Sequence, residues 1–354
     1  MPLQNLWYQT VTGTPQKPPS PRSRSPLQKL KTPSPLSSHQ DDPCVMDFLL
    51  EFWQKDSQYA KGRKLRGKSL SLQYVESNHH ALRNHAAPLL GEIRLSEFTP
   101  LLFEKLLLTL AESGAGARTI NKIRQAILVA VGNYYRLQYM PNPLTCIERV
   151  HEIPKERGIL TKKEIQGIVA INGYAPRVKA AFILAACCGL RRGEVRGLKA
   201  EDVDYDERCI HVRHNLVDTR EGIKAPKCGS TRTVPVPDLV LELLAECKKE
   251  NPDALYLLGT KKLALSKATI KRCFPQVLLD IGIDEEEKKQ RNLCFHGLRH
   301  SYVSLLRSTS VPDFVVMRLA GHKSPQMMER YSHADIRDYG SLVSGQLKTA
   351  LEGA

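Results

Sequence analysis

Four short stretches in the C-terminal half of the chain concentrate side chains able to act on a phosphodiester. "CGLRRGEVRGL" places Arg191, Arg192 and Glu194 just after an apolar helical pattern, and "IKAPKCGSTRTVPVP" carries Lys227 in a Gly- and Lys-rich turn. "HGLRH" brings His296, Arg299 and His300 to a helix start, and "LAGHKSPQMMERYSH" supplies His322 and Tyr331. Two converging arginines can bracket the non-bridging oxygens of a phosphodiester with planar, bidentate donors. Fixed cations in a partly dry site then meet the charge that develops on a pentacoordinate phosphorus. A tyrosine hydroxyl is a competent nucleophile that leaves a covalent intermediate. Histidines can share its proton, and a lysine can protonate the leaving oxygen. The phosphotyrosine retains bond energy, so this chemistry needs neither a nucleotide nor a metal cofactor.

The residue types also admit plainer readings. Arg192 competes with Arg191 for the phosphate-facing position, and Glu194 has the spacing of a capping or ion-pairing residue. Lys224 lies close to Lys227. His296 and His300 stand at i, i+4 spacing and could be a zinc pair, but no Glu lies between them and no third ligand is apparent. His300 otherwise reads as structural, bonding near Arg299. Tyr339 rivals Tyr331 but lacks the flanking residues, and Met327 and Met328 read as packing residues.

The elements must bring these groups together. Nine residues separate His322 from Tyr331, which on one straight helix would place them on opposite faces at about 100° per residue. Gly321 suits a helix end and Ser324-Pro325 a new helix start, so a corner between two helices is expected to turn both side chains toward one pocket. Upstream, "RVKAAFILAACCG" reads as a buried helix, and "LTKKEIQGIVAIN" opens with Thr161 and Glu164 in capping-box spacing. "RCIHVRH" and "TRTVPVP" alternate as strands of a hairpin. From "LVLELLAECKKE" onward the pattern is mainly helical, ending in a short amphipathic segment.

The N-terminal half is organised differently. Residues 1–42 are rich in Pro and Ser and basic, and are expected to be disordered. Residues 43–150 read as four or five short helices. Ser69 is expected to cap "KSLSLQYVESNHHALRNHAAPLLG", and Thr99-Pro100 to start the helix that Gly114 ends. Lys61, Arg63, Lys64, Arg66 and Lys68 form a basic run beside one helix start, read as a solvated loop and as candidate phosphate contacts. "HEIPKERGIL", residues 151–160, is punctuated like a linker.

Charge and cysteine content narrow the function class. A formal net charge of +15 over 354 residues favours a polyanionic partner, nucleic acid first and anionic membrane second. Nine cysteines without a C-x-x-C pair argue against a disulfide framework or a thiolate zinc site. No secretory signal is visible and the longest apolar run is too short to span a bilayer. A cytoplasmic location with no membrane partner is expected.

In their order and spacing, these boxes resemble those of the tyrosine recombinases of the phage integrase family, over about residues 43–350. "GLRRGE" is similar to the first arginine box, which implies Arg191 as catalytic and Glu194 as its acidic companion. Lys227 is similar to the hairpin lysine. "HGLRH" resembles the His-x-x-Arg box, implying His296 and Arg299, and "LAGH" with the following residues implies His322 and the nucleophile Tyr331. The resemblance implies an all-α core-binding (SAM-like) bundle over 43–150. It further implies, over 161–340, a mixed, mainly α catalytic domain with a small antiparallel β-sheet. A C-terminal tail, 341–354, would dock on a neighbouring protomer. The two domains would clamp duplex DNA at recombination sites as a homotetramer, with accessory DNA-bending proteins as further partners. Tyr331 would form a 3′-phosphotyrosyl link and Lys227 would protonate the leaving 5′-oxygen. A mobile-element integrase is the first reading, because of the N-terminal segment. A Xer-like resolvase, a type IB topoisomerase-like nicking-closing enzyme and a non-catalytic DNA-binding regulator are the alternatives.

Overall fold

Ser57, Ser71 and Thr99 each accept a hydrogen bond from the backbone N–H three residues on, and each starts a helix. The computed structural model describes residues 42–153, 155–217, 223–224, 231–321 and 339–352, with backbone alone at 223, 224 and 352. The chain divides into two compact units between His151 and Glu152.

The first unit holds α1 (Val45–Phe52), α2 (Gln58–Leu65), α3 (Leu72–Ala81), α4 (Ala87–Leu90), α5 (Pro100–Glu112) and α6 (Ala117–Leu137). A π turn over Leu82–Ala86 joins α3 to α4. Pro88 lies just beyond it and lacks the N–H that Asn84 would otherwise receive, so the ladder widens there. The cap of α3 is Ser71, not Ser69, because a start at Leu72 turns Val75, Asn78 and Ala81 inward. The basic run Lys61–Lys68 is not simply a loop: its first half is helix α2, capped by Ser57 and held by Tyr59 stacked on Phe52 at 4.3 Å. The core of the unit gathers Leu49, Trp53, Leu82, Phe103, Ile123 and Ile127. The Trp53 indole, 1% exposed, donates to the Ala126 carbonyl at 3.1 Å, so burying its N–H leaves no donor unpaired.

The second unit is mainly helical around a small sheet. Its helices are α7 (Lys162–Ala170), α8 (Pro176–Cys187), α9 (Arg192–Gly197), α10 (Asp238–Glu250), α11 (Lys267–Asp280), α12 (Glu285–Gln290), α13 (Phe295–Arg307), α14 (Asp313–Leu319) and α15 (Gly340–Glu352). The expected Thr161–Glu164 capping box is present at α7. Helix α8 is buried on nearly all sides, which is why its sequence is apolar without a polar stripe. It packs against α7, α10 and α13. Strands β1 (Val203–Asp204), β2 (Cys209–Val212) and β5 (Arg232–Pro235) form an antiparallel sheet in the order β1-β2-β5. Strands β3 (Asn215–Leu216) and β4 (Ile223–Lys224) form a separate antiparallel pair. The register sets Ile210 opposite Val234 and Val212 opposite Arg232, and all four are buried.

The second half of the stretch read as a linker is bonded into this unit. Glu156 O accepts from Asn292 Nδ2, Ile159 O from Arg291 Nη2, and Leu160 N donates to the buried Ser301 hydroxyl, each at 2.8 Å. Helix α15 lies on its own unit, with Val343 and Leu347 fully buried and Ala350 O accepting from Gln166. Its apolar side chains join the core of this unit in the single chain. Among the described residues, no helix is long and apolar enough to cross a membrane.

Candidate active site

The buried helix α8 ends at Gly189, whose φ is +64°. A Cβ there would lie 2.3 Å from the Tyr302 ring, so only glycine lets the chain turn this tightly against α13. The turn delivers Arg191 as the cap residue of α9 and Glu194 as its third residue. Arg192 is exposed while Arg191 is half-buried, which resolves the choice between them in favour of Arg191 facing the interior.

Glu194 is the hub. Its side chain is 1% exposed. Its Oε2 accepts from the Arg191 backbone N–H at 2.9 Å, and its Oε1 accepts from Arg191 Nη1 at 2.8 Å. Arg232 grips both oxygens, Nη1 to Oε1 at 3.1 Å and Nη2 to Oε2 at 2.7 Å. Arg299 Nη1 stands 3.9 Å from Oε2 and donates to the Gly189 carbonyl at 2.5 Å. Burial by itself would raise the Glu194 carboxyl, but the bonds from Arg232 and Arg191 outweigh it and hold the carboxyl at about 2. The group is therefore an anion at neutral pH. Three guanidiniums face this one carboxylate, and the cluster keeps an excess of two positive charges.

Two of the three arginines also hold the end of α14. Arg191 Nη2 donates to Gly321 O at 3.1 Å and Arg232 Nε to Leu319 O at 2.7 Å. Gly321 takes φ +59°, and a Cβ there would touch Arg232 at 3.4 Å. The next residue in the chain is His322. Lys227, His322 and Tyr331 lie outside the described residues, so the structure brings Arg191, Glu194, His296 and Arg299 together and leaves those three unlocated.

Arg299 and His296 share the first turns of α13. Arg299 is 2% exposed, and its Nη2 has no hydrogen-bond partner among the described residues. Burial first, then Arg191 and Arg232, push its guanidinium down to about 9, with Glu194 opposing. It stays charged at neutral pH, and one donor edge is left open in a desolvated site. Burial also pushes His296 down to about 4, helped by Arg157, His300, Arg299 and Arg191 in that order. Its imidazole is neutral at pH 7. His300 is lowered for the same reasons and stacks edge-on against His296 at 5.2 Å. Among the described residues, neither histidine joins a group of three metal-ligating side chains.

Arg232 is the residue that sequence reasoning missed. Its partner is 38 positions away, and no local spacing joins them. A signal was nevertheless present: in "TRTVPVP" the alternation puts Arg232 on the same face as Val234, and an arginine on the buried face of a strand requires a carboxylate.

The chain was compared with known proteins. The model of the phage integrase family matches residues 159–337. A tyrosine recombinase XerC-like protein of Caldanaerobacter subterraneus subsp. tengcongensis is 26% identical over 201 residues, which are 49% of this chain and 49% of that protein. The match therefore spans about half the length of that relative. Among solved structures, the Tn1549 transposon integrase in complex with a circular intermediate DNA superposes with a TM-score of 0.64 at 18% identity, over 83% of this chain and 96% of that one. A lambda integrase tetramer bound to a Holliday junction gives 0.62 at 16% identity, over 84% and 79%. These likenesses show a shared fold.

Proposed function

The chain belongs to the phage integrase family, and from that premise we propose that it is a site-specific DNA recombinase of the mobile-element integrase kind. It cleaves and rejoins DNA strands through a 3′-phosphotyrosine. The observation that carries this reading is the Arg191–Glu194–Arg232–Arg299 cluster, with its two excess positive charges and an Arg299 Nη2 that no described residue partners. A phosphodiester supplies the missing acceptor, and the charge gained on the way to pentacoordinate phosphorus meets cations that need no rearrangement.

In this mechanism Arg191 and Arg299 bind the two non-bridging oxygens. The Tyr331 oxygen attacks phosphorus and passes its proton to the His322 imidazole, the bond to the 5′-oxygen breaks, and Lys227 gives that oxygen a proton. Neutral His296 donates a hydrogen bond to the phosphate, and His322 assists from the segment that begins where Arg191 holds the Gly321 carbonyl. Glu194 orients the arginines and His300 supports His296. No proton or electron is left over, and the reverse sequence rejoins the strand.

Duplex DNA is the partner. The first unit corresponds to the core-binding domain, and α2 with the following turn offers Lys61, Arg63, Lys64, Arg66 and Lys68 to the phosphates. A tetramer on a four-way junction is the working assembly, by analogy with the lambda integrase described above, and the protein acts in the cytoplasm. The XerC-like relative keeps a resolvase in view as the second reading within the same family.

Covalent trapping tests the proposal. Protein is mixed, without metal, with nicked duplexes from the boundaries of the element that encodes it, and SDS-resistant DNA–protein adducts are sought. An adduct that disappears in Tyr331→Phe is expected. An adduct that survives would move the nucleophile, with Tyr339 next. Tight binding with no adduct from either protein would overturn the enzymatic reading, and supercoil relaxation without exchanged strands would favour a topoisomerase.

A further inference from the structure

The face of the sheet turned away from Ile210 and Val234 carries a second group of reactive side chains, which the proposed reaction does not use. Asp204 pairs directly with Cys209 across β1 and β2, and His211 lies two residues further along the same strand, on the same face. Thr233 pairs with His211 across β5. His211 Nε2 stands 3.9 Å from Cys209 Sγ and 3.8 Å from Asp204 Oδ2. One donor atom from each of the three residues falls within 4.8 Å of the others.

The orientations of His211 and Asp204 are fixed from outside the trio. Thr233 Oγ1 lies 3.1 Å from His211 Nδ1, and with Nδ1–H donating there, the Nε2 lone pair faces Asp204 and Cys209. Asp204 Oδ1 accepts the Glu207 backbone N–H at 2.9 Å, which leaves Oδ2 for the trio. Only the Cys209 thiol proton lies between these lone pairs, and a divalent cation that displaces it meets a donor from each of the three residues. The nearby Arg213 is directed to the buried Asp202, 3.8 Å away, while Asp206 and Glu207 add negative charge to the same turn.

We propose that Asp204, Cys209 and His211 bind one divalent ion of the zinc class. One sulfur, one nitrogen and one oxygen donor suit a borderline-soft cation rather than calcium or magnesium, which prefer oxygen ligands. Tetrahedral bonds of about 2.0–2.3 Å hold such donors roughly 3.3–3.7 Å apart, so the two edges at His211 close by a few tenths of an ångström and the Cys209–Asp204 edge, within 4.8 Å, by about 1 Å at most. Three protein ligands leave the fourth position to water. The Thr233–His211 contact is the outer bond that fixes a metal-binding histidine. The ion fastens β1 to β2.

Cobalt(II) reports on this directly. The reduced, chelator-treated full chain is titrated with cobalt(II) and then zinc(II), with no DNA present. The expected result is one equivalent of cobalt, with a near-ultraviolet thiolate-to-cobalt band and intense four-coordinate visible bands, both removed by zinc. Cys209→Ser should lose the thiolate band, His211→Ala should bind at least tenfold more weakly, and Thr233→Val about tenfold more weakly. Zinc should raise the melting temperature of the wild type and not of Cys209→Ser. Bands that persist in Cys209→Ser, or none at saturating cobalt in a folded protein, would overturn the site and leave Asp204–His211 a plain surface ion pair. Neither result bears on strand cleavage, which is read separately by the Tyr331 adduct.

Discussion

A carboxylate that is 1% exposed is tolerable only because its neighbours are cations, and Arg232 supplies the largest share of that compensation. Removing one partner of such a pair leaves the other charged and buried, which costs about 3–5 kcal/mol, far more than the pair gains over apolar residues of similar size. Arg232→Met is therefore expected to lower stability by about that amount in urea unfolding. The double variant Glu194→Gln/Arg232→Met should recover most of the loss while adduct formation stays low, because the amide keeps only one of the two oxygens that hold Arg191 and none of their charge. Full recovery of cleavage in the double variant would make the cluster a stability feature alone. His296 gives a second test at this scale. Its folded-state value near 4 lies below the ordinary 6.5, so between those values the unfolded chain binds more protons than the folded one. Stability therefore falls as pH drops from 6.5 toward 4 and is flat above. An NMR titration should place the His296 midpoint near 4, and a bound phosphodiester should move it upward by offsetting the surrounding cations. A midpoint at 6.5 in the free protein would mean that the imidazole is not desolvated.

Elements set how close those residues can come. The sharp exit from α8 at Gly189 lets its carbonyl reach Arg299 while Tyr302 fills the space a side chain would need. Gly189→Ala would force a Cβ into that ring from a left-handed backbone, and a loss of about 3 kcal/mol or more is expected in urea unfolding. A loss below about 1 kcal/mol would show that α13 can retreat. Elements also explain what the sequence made legible. Helices α5, α7 and α8 announce themselves through Thr99-Pro100, the Thr161–Glu164 box and an unbroken apolar run, all local signals. Helix α2 did not, since "QYAKGRKL" buries no residue fully and shows no apolar stripe; tertiary stacking of Tyr59 on Phe52 supports it. The convergence of Arg191 and Glu194 with His296 and Arg299 came from resemblance rather than periodicity, because the two pairs sit on different helices, α9 and α13. Arg232 escaped because a strand residue was read for its pattern and not for the charge that pattern buries.

At the scale of the molecule, the formal charge of +15 and the local excess at the site act over different distances. Exposed lysines on α2 and its turn are screened by salt within about 10 Å at 0.1 M, whereas the arginines around Glu194 are buried and screened little. The two contributions should therefore separate experimentally. Six to ten phosphate contacts predict that DNA affinity falls by about a thousandfold to a hundred-thousandfold between about 50 and about 200 mM salt. Lys61→Glu and Lys64→Glu should weaken binding to every duplex about equally and reduce the salt slope by about one contact each. At saturating protein, their rate of adduct formation on nicked duplex should match wild type, because every group assigned a part in the chemistry belongs to the second unit. Arg299→Lys should do the reverse: it keeps the charge and most of the affinity but loses the planar second donor, and adduct formation should fall at every salt concentration. If the lysine variants instead slowed cleavage at saturation, α2 would have to contribute to assembling the reactive complex and not only to holding DNA.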